Sequence, residues 1–593
     1  MNKVSRLITL FCISTLSLLF VVTLWQTNEG GLEKKHSNND ELPAPTELLD
    51  GQNEEKGMSA RKAYEKALHR AAPKTDWKAL DRQNMLKMYH KRVELKNNLS
   101  LKSNTTYADG HLTGEWTERG SQNQAGNLSQ VVYSADGDKL FGISGSGTFW
   151  SGNLDGTGWT PVNEDLKLNK NLLKIVPDGN GGRRLLATVG KIVWYSDDDG
   201  ANWATSTGLD FYNTWGEPRD LVTINDANNT IYYLVKTWNS NPWGAATQLY
   251  VSEDRGATFT LMTNYQQGQA DRIGLWAASE GTSAYLLVNG SELRTLSGNT
   301  STLLNTNSTL PTTQSLKLTG TKTESGTTLS VLANRNTVYQ STNNGATWTL
   351  KGTTPVNAWG VGMVASAHDP NKLFMGAVDC YRSYDGGVNW TKVNGWGQYY
   401  GNNNYLHADI MDIEPFTKAD GTTFVLVANH GGVHASYDDL QTTSNLGVEG
   451  LNIGQYYDVR TDPLDHAFVY GGTQDQGHHR SNLGYTEGVV NFDQVVSGDY
   501  GSYAFSENGQ RLWTVYPGAT IHYYPNPQTQ NKKAQFSIGG NHKAASGWII
   551  PTSPVADTNE NAILIAGGNI NGGDGSYLVK LTATSSAPYS ITA

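Results

Sequence analysis

Cysteine is nearly missing from this 593-residue chain: there are two, Cys12 and Cys380. Cys12 sits in an apolar N-terminal run, so no internal disulfide is expected and a disulfide framework cannot be what stabilises the fold. Charge is scarce as well, 17% of residues against about 25% in an ordinary globular chain. Excess positive charge is lacking altogether. The net charge is −10, which argues against a nucleic-acid binder, since that would need a basic face. What the chain does have is glycine (64), tryptophan (17) and 10% aromatics, a composition suited to many short strands joined by tight turns. Its length is ample for one or two large cores.

Residues 1–25 carry Lys3 and Arg6 and then an uncharged run from Leu7 to Trp25. That is the pattern of a secretory signal peptide or an uncleaved N-terminal anchor. Either implies export, to the cell envelope or beyond it. Residues 26–57 are polar and acidic, with Pro43 and Pro45, and read as a flexible linker. Residues 58–110 begin with apolar positions at helical spacing (Tyr64, Leu68; Leu80, Met85, Met88, Tyr89) and predict one or two helices, broken around Pro73, acting as a spacer or brace.

From residue 111 the texture changes to strands and turns. Ser196-Asp197-Asp198-Asp199-Gly200-Ala201-Asn202-Trp203 and Ser383-Tyr384-Asp385-Gly386-Gly387-Val388-Asn389-Trp390 both have the form S-x-D-x-G-x-x-W. The stretch from Ser252 to Phe259 fits with Phe for Trp, and Ser341 to Trp348 fits with Asn for Asp. An Asp or Asn at the third position can accept hydrogen bonds from backbone N–H groups just ahead, Gly supplies a positive φ, and the aromatic fills the space beneath the turn. Weaker relatives start at Ser151, Ser297, Ser436 and, one residue after Arg480, at Ser481. The eight serines recur about every 45 residues, the length of a four-stranded propeller blade. Residues 111–593 then hold roughly ten or eleven blades.

These repeats resemble the Asp-box (BNR) β-propellers. The resemblance implies an all-β fold of one large ring, as in sortilin-like proteins, or of two tandem rings with the second incomplete, as in the double-propeller xyloglucan hydrolases. It also implies that the boxes are turn staples lying away from the ligand face.

The most unusual segment is 379–480. Six of the 13 histidines (His407, His430, His434, His466, His478, His479) fall within residues 407–479. The patterns H-A-D-x-x-D-I-x-P, H-G-G-V and G-G-T-Q-D-Q-G in this segment resemble exported bacterial sortilin-like or glycosidase-like propellers. Ahead of them lies an uncharged Asn/Gly loop with Trp396, Tyr399, Tyr400 and Tyr405, whose rings could stack on sugars. Its alternative reading is a packed inter-blade loop. Trp396, Tyr399, Tyr400, Tyr405, His407 and His430 are therefore the candidate ligand-binding residues. The His407/Asp409 and His430/His434 spacings match no recognised ligand set on strands, so neither a metal nor a cofactor is expected.

Sialidases of this fold carry an Arg-Ile-Pro motif; here the nearest stretch is Arg272-Ile273-Gly274, which disfavours that activity. The resemblance to the xyloglucan hydrolases implies two catalytic Asp. The matching stretches here, Leu140–Gly147 and Asn429-His430-Gly431-Gly432, have none. A hydrolase would need relocated carboxylates. Asp475 and Asp409 are the foremost candidates, with Asp379 and Asp412 as partners. The expected role is recognition of an extracellular glycan or polysaccharide. Glycoside hydrolysis with relocated carboxylates and sortilin-like protein or peptide binding are the alternatives. The discriminating features are a carboxylate pair, an exposed aromatic platform, or an apolar channel wall.

Overall fold

The computed structural model describes the helix at 58–68, scattered residues between 72 and 113, and residues 118–593 with gaps at 164–171, 178–181, 190–191, 210–214, 241–242, 266–271, 307–309, 311–314, 419, 482–487, 539–547 and 567–577. The expected signal or anchor and the linker lie outside the described residues. No helix among the described residues is long and apolar enough to cross a membrane.

Among the described residues, ten antiparallel four-stranded sheets follow one another, each a simple up-and-down meander. Blade 1 begins at Leu128–Ser134, blade 2 at Leu173–Pro177, blade 3 at Trp215–Thr223, blade 4 at Ile273–Ala277 and blade 5 at Leu316–Thr323. Blades 6 to 10 begin at Met363–Ala365, Asp412–Thr417, Tyr456–Thr461, Gly501–Ser506 and Thr552–Pro554. The fold is a β-propeller. Its sequence basis is the near-continuous apolar run of the central strands, as in Leu185–Val189 and Phe424–Ala428, which are buried on both faces between neighbouring blades.

The packing between blades shows how the ten are grouped. Separate apolar clusters join blades 1 and 2 (Phe141, Ile143 with Leu185, Trp194), 2 and 3, 3 and 4, 4 and 5, 5 and 6, and 6 and 7. A seventh cluster joins Leu426, Ala428 and Val433 of blade 7 back to Leu128, Val131 and Leu140 of blade 1. Seven blades therefore close a ring. Blades 8 to 10 form an arc of three, joined by two further clusters. Of the two expected architectures, the fold is the one with a closed ring followed by an incomplete group.

Ring and arc are stitched together by the strand-like lead-in to blade 1. Gln122 N donates to Val490 O (3.0 Å), and Asn123 exchanges hydrogen bonds with the backbone of Phe492. Gly126 lies so close to Ile453 that a Cβ would meet its carbonyl oxygen at 2.5 Å. The ring's innermost strands, by contrast, carry charge. Lys174 pairs with Glu414 across it (2.7 Å), and Lys317 pairs with Asp220 (2.7 Å).

The S-x-D-x-G-x-x-W turns join third to fourth strands. At Asp198, Oδ1 accepts from Ser196 Oγ (2.8 Å) and from Asn202 N (2.8 Å), while Gly200 N donates to Ser196 Oγ (2.9 Å) at φ +90°. Trp203 is buried beneath and donates from Nε1 to Gly200 O. The turn from Ser436 is built the same way with Leu440 at φ +67° in the glycine position. The stretch from Ser297 is different: Ser297 pairs with Thr300 across a two-residue turn.

Within the segment expected to be helical, the α-helix α1 (Met58–Leu68) is followed beyond Pro73 by further helical residues, Leu80, Asn84, Met88 and Lys91 among those described, and then by a short ribbon pairing Thr106–Tyr107 with Leu112–Thr113.

Candidate functional site

In a four-stranded meander, the hairpin between strands 2 and 3 and the connection to the next blade share one end. The hairpins between strands 1 and 2 and between 3 and 4 share the other. The staple turns are of the 3–4 kind. The unusual sequence motifs are of the opposite kind. His430 lies in the 2–3 hairpin of blade 7, Asp475 in the 2–3 hairpin of blade 8, and residues 393–411 connect blade 6 to blade 7. These three segments meet where ring and arc adjoin.

At their meeting point His430 Nδ1 is 2.5 Å from Asp475 Oδ2 and 3.3 Å from Asp409 Oδ2. The three ligating atoms lie within 4.8 Å of one another. His430 is buried, and the carboxylates are partly open, 27% exposed at Asp409 and 16% at Asp475. Both aspartates adopt left-handed backbone, φ +65° and +62°, a conformation that costs a non-glycine residue energy and that clusters at functional sites. Backbone bonds hold each in place: Asp409 N to Val378 O (2.9 Å), and around Asp475, Gln474 N to Gln455 O (2.8 Å). Gln476 Nε2 donates to His430 O (2.6 Å), and Gln474 Nε2 to Asp475 Oδ2 (2.9 Å).

The loop 393–411 packs directly on the His430 turn. A Cβ on Gly431 would strike Tyr399 and His407 at 2.7 Å, so glycine there is what lets the loop close down. Tyr400 donates to the Asp475 carbonyl (2.9 Å) and shares a 2.8 Å hydrogen bond with His407 Nε2. Asp379 anchors the loop from below: its carboxylate accepts from Trp396 N (2.9 Å) and pairs with Lys392 (2.5 Å).

Burial would push the Asp409 carboxyl up, and the Asp475 charge adds to that; the net result is about 6 in spite of His430. Burial works the same way on Asp475, but the His430 charge and hydrogen bond outweigh it and hold Asp475 well below the usual carboxylate range. Burial disfavours the His430 cation, yet Asp475 and Asp409 raise it above its ordinary value. His407 is pushed down to about 4 by burial and stays neutral. Two carboxylates that share one imidazole are thus driven apart, one toward holding a proton and one toward permanent ionisation.

The candidate residues of the loop separate by exposure. Tyr399 and His407 are buried beneath the His430 turn; Trp396 and Tyr400 are half-buried; Tyr405 is 41% exposed. Asp412 lies apart from the cluster, on the inner strand of blade 7. There burial and Glu414 raise it to about 8, and it accepts from Val131 N across the ring closure. His434 is buried between Asn429 and the Asn403 carbonyl. The three-residue cluster is small enough to hold a cation, but the short His430–Asp475 hydrogen bond already accounts for its geometry. Sequence reasoning missed Arg61 of α1, whose charge acts on all three members of the cluster. Helical spacing gave no signal that a residue so far upstream would arrive there.

No protein-family model matches the chain, and no curated protein matches it either. Solved structures do. A GH74 enzyme of Niastella koreensis matches at TM-score 0.51 and 15% identity, over 80% of this chain and 74% of that one. The GH74 xyloglucanase of Xanthomonas campestris matches at 0.53 and 13%, over 78% and 75%. An ancestral GH74 enzyme matches at 0.56 and 14%, over 79% and 69%. At these identities the likeness is one of fold.

Proposed function

We propose that this protein is an exported propeller that acts on an extracellular polysaccharide, cleaving it as a glycoside hydrolase through Asp409 and Asp475. The observation that carries the reading is the convergence of these two carboxylates on His430 with their protonation driven in opposite directions. Asp409, protonated below about pH 6, is the acid that gives its proton to the glycosidic oxygen. Asp475, kept ionised by His430, is the carboxylate that meets the developing positive charge at the anomeric carbon. Their oxygens approach within 4.8 Å, which leaves no room between them for the water of the inverting arrangement at about 6.5–9.5 Å. Tyr400 touches this point through the Asp475 carbonyl, Trp396 packs edge-on against Tyr400, and with the exposed Tyr405 of the same loop they offer stacking faces to a sugar chain. The fold shared with GH74 enzymes, among them a xyloglucanase, supports a polysaccharide substrate. Export is inferred from the uncharged run Leu7 to Trp25 after Lys3 and Arg6.

The exposed ring of Tyr405 and the half-buried Trp396 also support a second reading, recognition of glycan without turnover. Peptide binding in an apolar channel is less favoured, because the inner strands of the ring carry Lys174, Glu414, Lys317 and Asp220. The test is reducing-sugar release from a panel of plant and bacterial polysaccharides. Release that is lost in both Asp409→Asn and Asp475→Asn supports hydrolysis. Binding to the panel without release by the wild-type protein replaces hydrolysis with recognition.

A further inference from the structure

Helix α1 does not stand clear of the propeller. Ala60 and Tyr64 pack against the apolar cluster of blades 9 and 10 that contains Trp548 and Ile549. The Tyr64 ring meets Tyr457 of blade 8 edge-on at 6.5 Å. Tyr64 lies one turn on from both Ala60 (i, i+4) and Arg61 (i, i+3), so the contacts that fix Ala60 and Tyr64 also fix the direction of Arg61. Its guanidinium carbon lies 5.6 Å from the centre of the Trp548 ring, close enough for a cation–π attraction. Tyr457 follows Gln455 and Tyr456, which pair with Gln474 and Thr473 in the hairpin that carries Asp475, so α1 docks beside the cluster, and the Arg61 charge is felt by Asp409, His430, Asp475 and Tyr457.

We infer that Arg61 is a positioning residue of the Asp409–His430–Asp475 cluster, carried to it by α1 and held in place by Tyr64 and Trp548. The charges explain the need. Two carboxylates face one imidazolium where ring and arc meet, and Arg61 brings a second cation. The titratable groups around the cluster are His407 and Tyr400 from the 393–411 connection, bonded to each other and, through Tyr400, to the Asp475 carbonyl, with Asp409 and Asp475 on His430 itself and Arg61 from α1 acting on it by charge. A cation there favours both ionised carboxylates and opposes the charged form of His430. Its removal therefore raises the titration midpoints of His430 and Asp409 together. α1 is then part of the site rather than a spacer. For its activity readout alone this inference rests on the proposed hydrolysis.

The test uses the full chain with ring-labelled histidine, the His430 signal being assigned by its loss in His430→Gln. In Arg61→Ala the His430 midpoint moves upward, in Arg61→Lys it returns toward the wild-type value, and in Tyr64→Ala, which frees the helix, it moves upward again. A midpoint in Arg61→Ala identical to wild type overturns the inference. So does an upward shift that Lys fails to reverse, because the effect would then be one of packing. Where sugar release is measurable, the alkaline limb of its pH profile shifts upward in Arg61→Ala. Absence of sugar release from every protein, wild type included, counts against hydrolysis and leaves the histidine titration to decide the role of Arg61.

Discussion

Asp409 and Asp475 differ in sequence only by their neighbours, yet the fold gives them opposite protonation behaviour through one shared imidazole. Three outcomes follow for single residues. Asp409→Asn removes the proton donor, and sugar release is expected to fall by about 10²–10⁴-fold, the usual worth of general acid catalysis. The pH profile has a set sign. The acid form of Asp409 is lost as pH rises through about 6, so activity declines on that side. Asp475 stays ionised until well into the acid range, so the optimum lies below neutrality; a rate that climbs steadily from pH 6 to 9 would contradict this assignment. Asp475→Asn removes the strongest support for the His430 cation, and the His430 midpoint should fall in the same titration. The candidate aspartates could be named in the sequence because their motifs were unusual. Their shared partner could be named too, as His430. That these three, rather than Asp379 or Asp412, converge was not legible, since it depends on which hairpin ends face each other between two blades. Asp379 turned out to anchor the Trp396 loop, and Asp412 the ring closure.

At the scale of elements, the staple turns were the most readable part of the chain, because each is a local unit whose hydrogen bonds run over four residues. Asp198 bonds at an exposed turn, so Asp198→Ala should cost about 1 kcal/mol, read as a small drop in Tm without loss of glycan affinity in the folded protein. Gly200→Ala should cost more, about 2–3 kcal/mol. Besides its positive φ, a Cβ there would meet the Phe149 ring of blade 1 at 2.3 Å, so this glycine is an inter-blade contact as well as a turn residue. The stretch from Ser297 shows the limit of pattern reading: it kept the serine and the spacing while its hairpin had shortened to two residues. The aromatic loop was legible in composition but not in orientation. Gly431 draws Tyr399 and His407 underneath and leaves Trp396 and Tyr400 half-buried and Tyr405 exposed. Trp396→Ala is accordingly expected to weaken glycan binding by about 1 kcal/mol, roughly fivefold, whereas Tyr399→Phe should leave affinity unchanged; equal losses in the two variants would show that the loop acts by packing alone.

For the whole molecule, the repeat length predicted ten or eleven blades, but a regular period carries no mark of where a ring closes. That information resides in side-chain complementarity between blades 7 and 1, far apart in the chain. Closure also places Asp412 where burial raises it to about 8, far above about 3.9 in an unfolded chain. Between those values the folded protein keeps a proton that the unfolded chain has lost, so stability falls as pH rises from about 4 through 8. Asp412→Asn should remove that slope, with Tm above wild type at pH 8 and the difference vanishing near pH 4. The seam has a further consequence, in time. Val131 waits for Asp412, 281 residues later, and Asn123 waits for Phe492, 369 residues later. At about 5–20 residues per second of synthesis, blade 1 is finished roughly 15 to 60 s before its partner exists. Leu128, Val131 and Leu140 remain uncovered through that interval, and the arc cannot be anchored until later still. Each new chain thus passes through a period in which its open seam can pair with the seam of another chain, and yield during expression should depend on translation rate and on crowding of nascent chains far more than the stability of the finished ring would suggest.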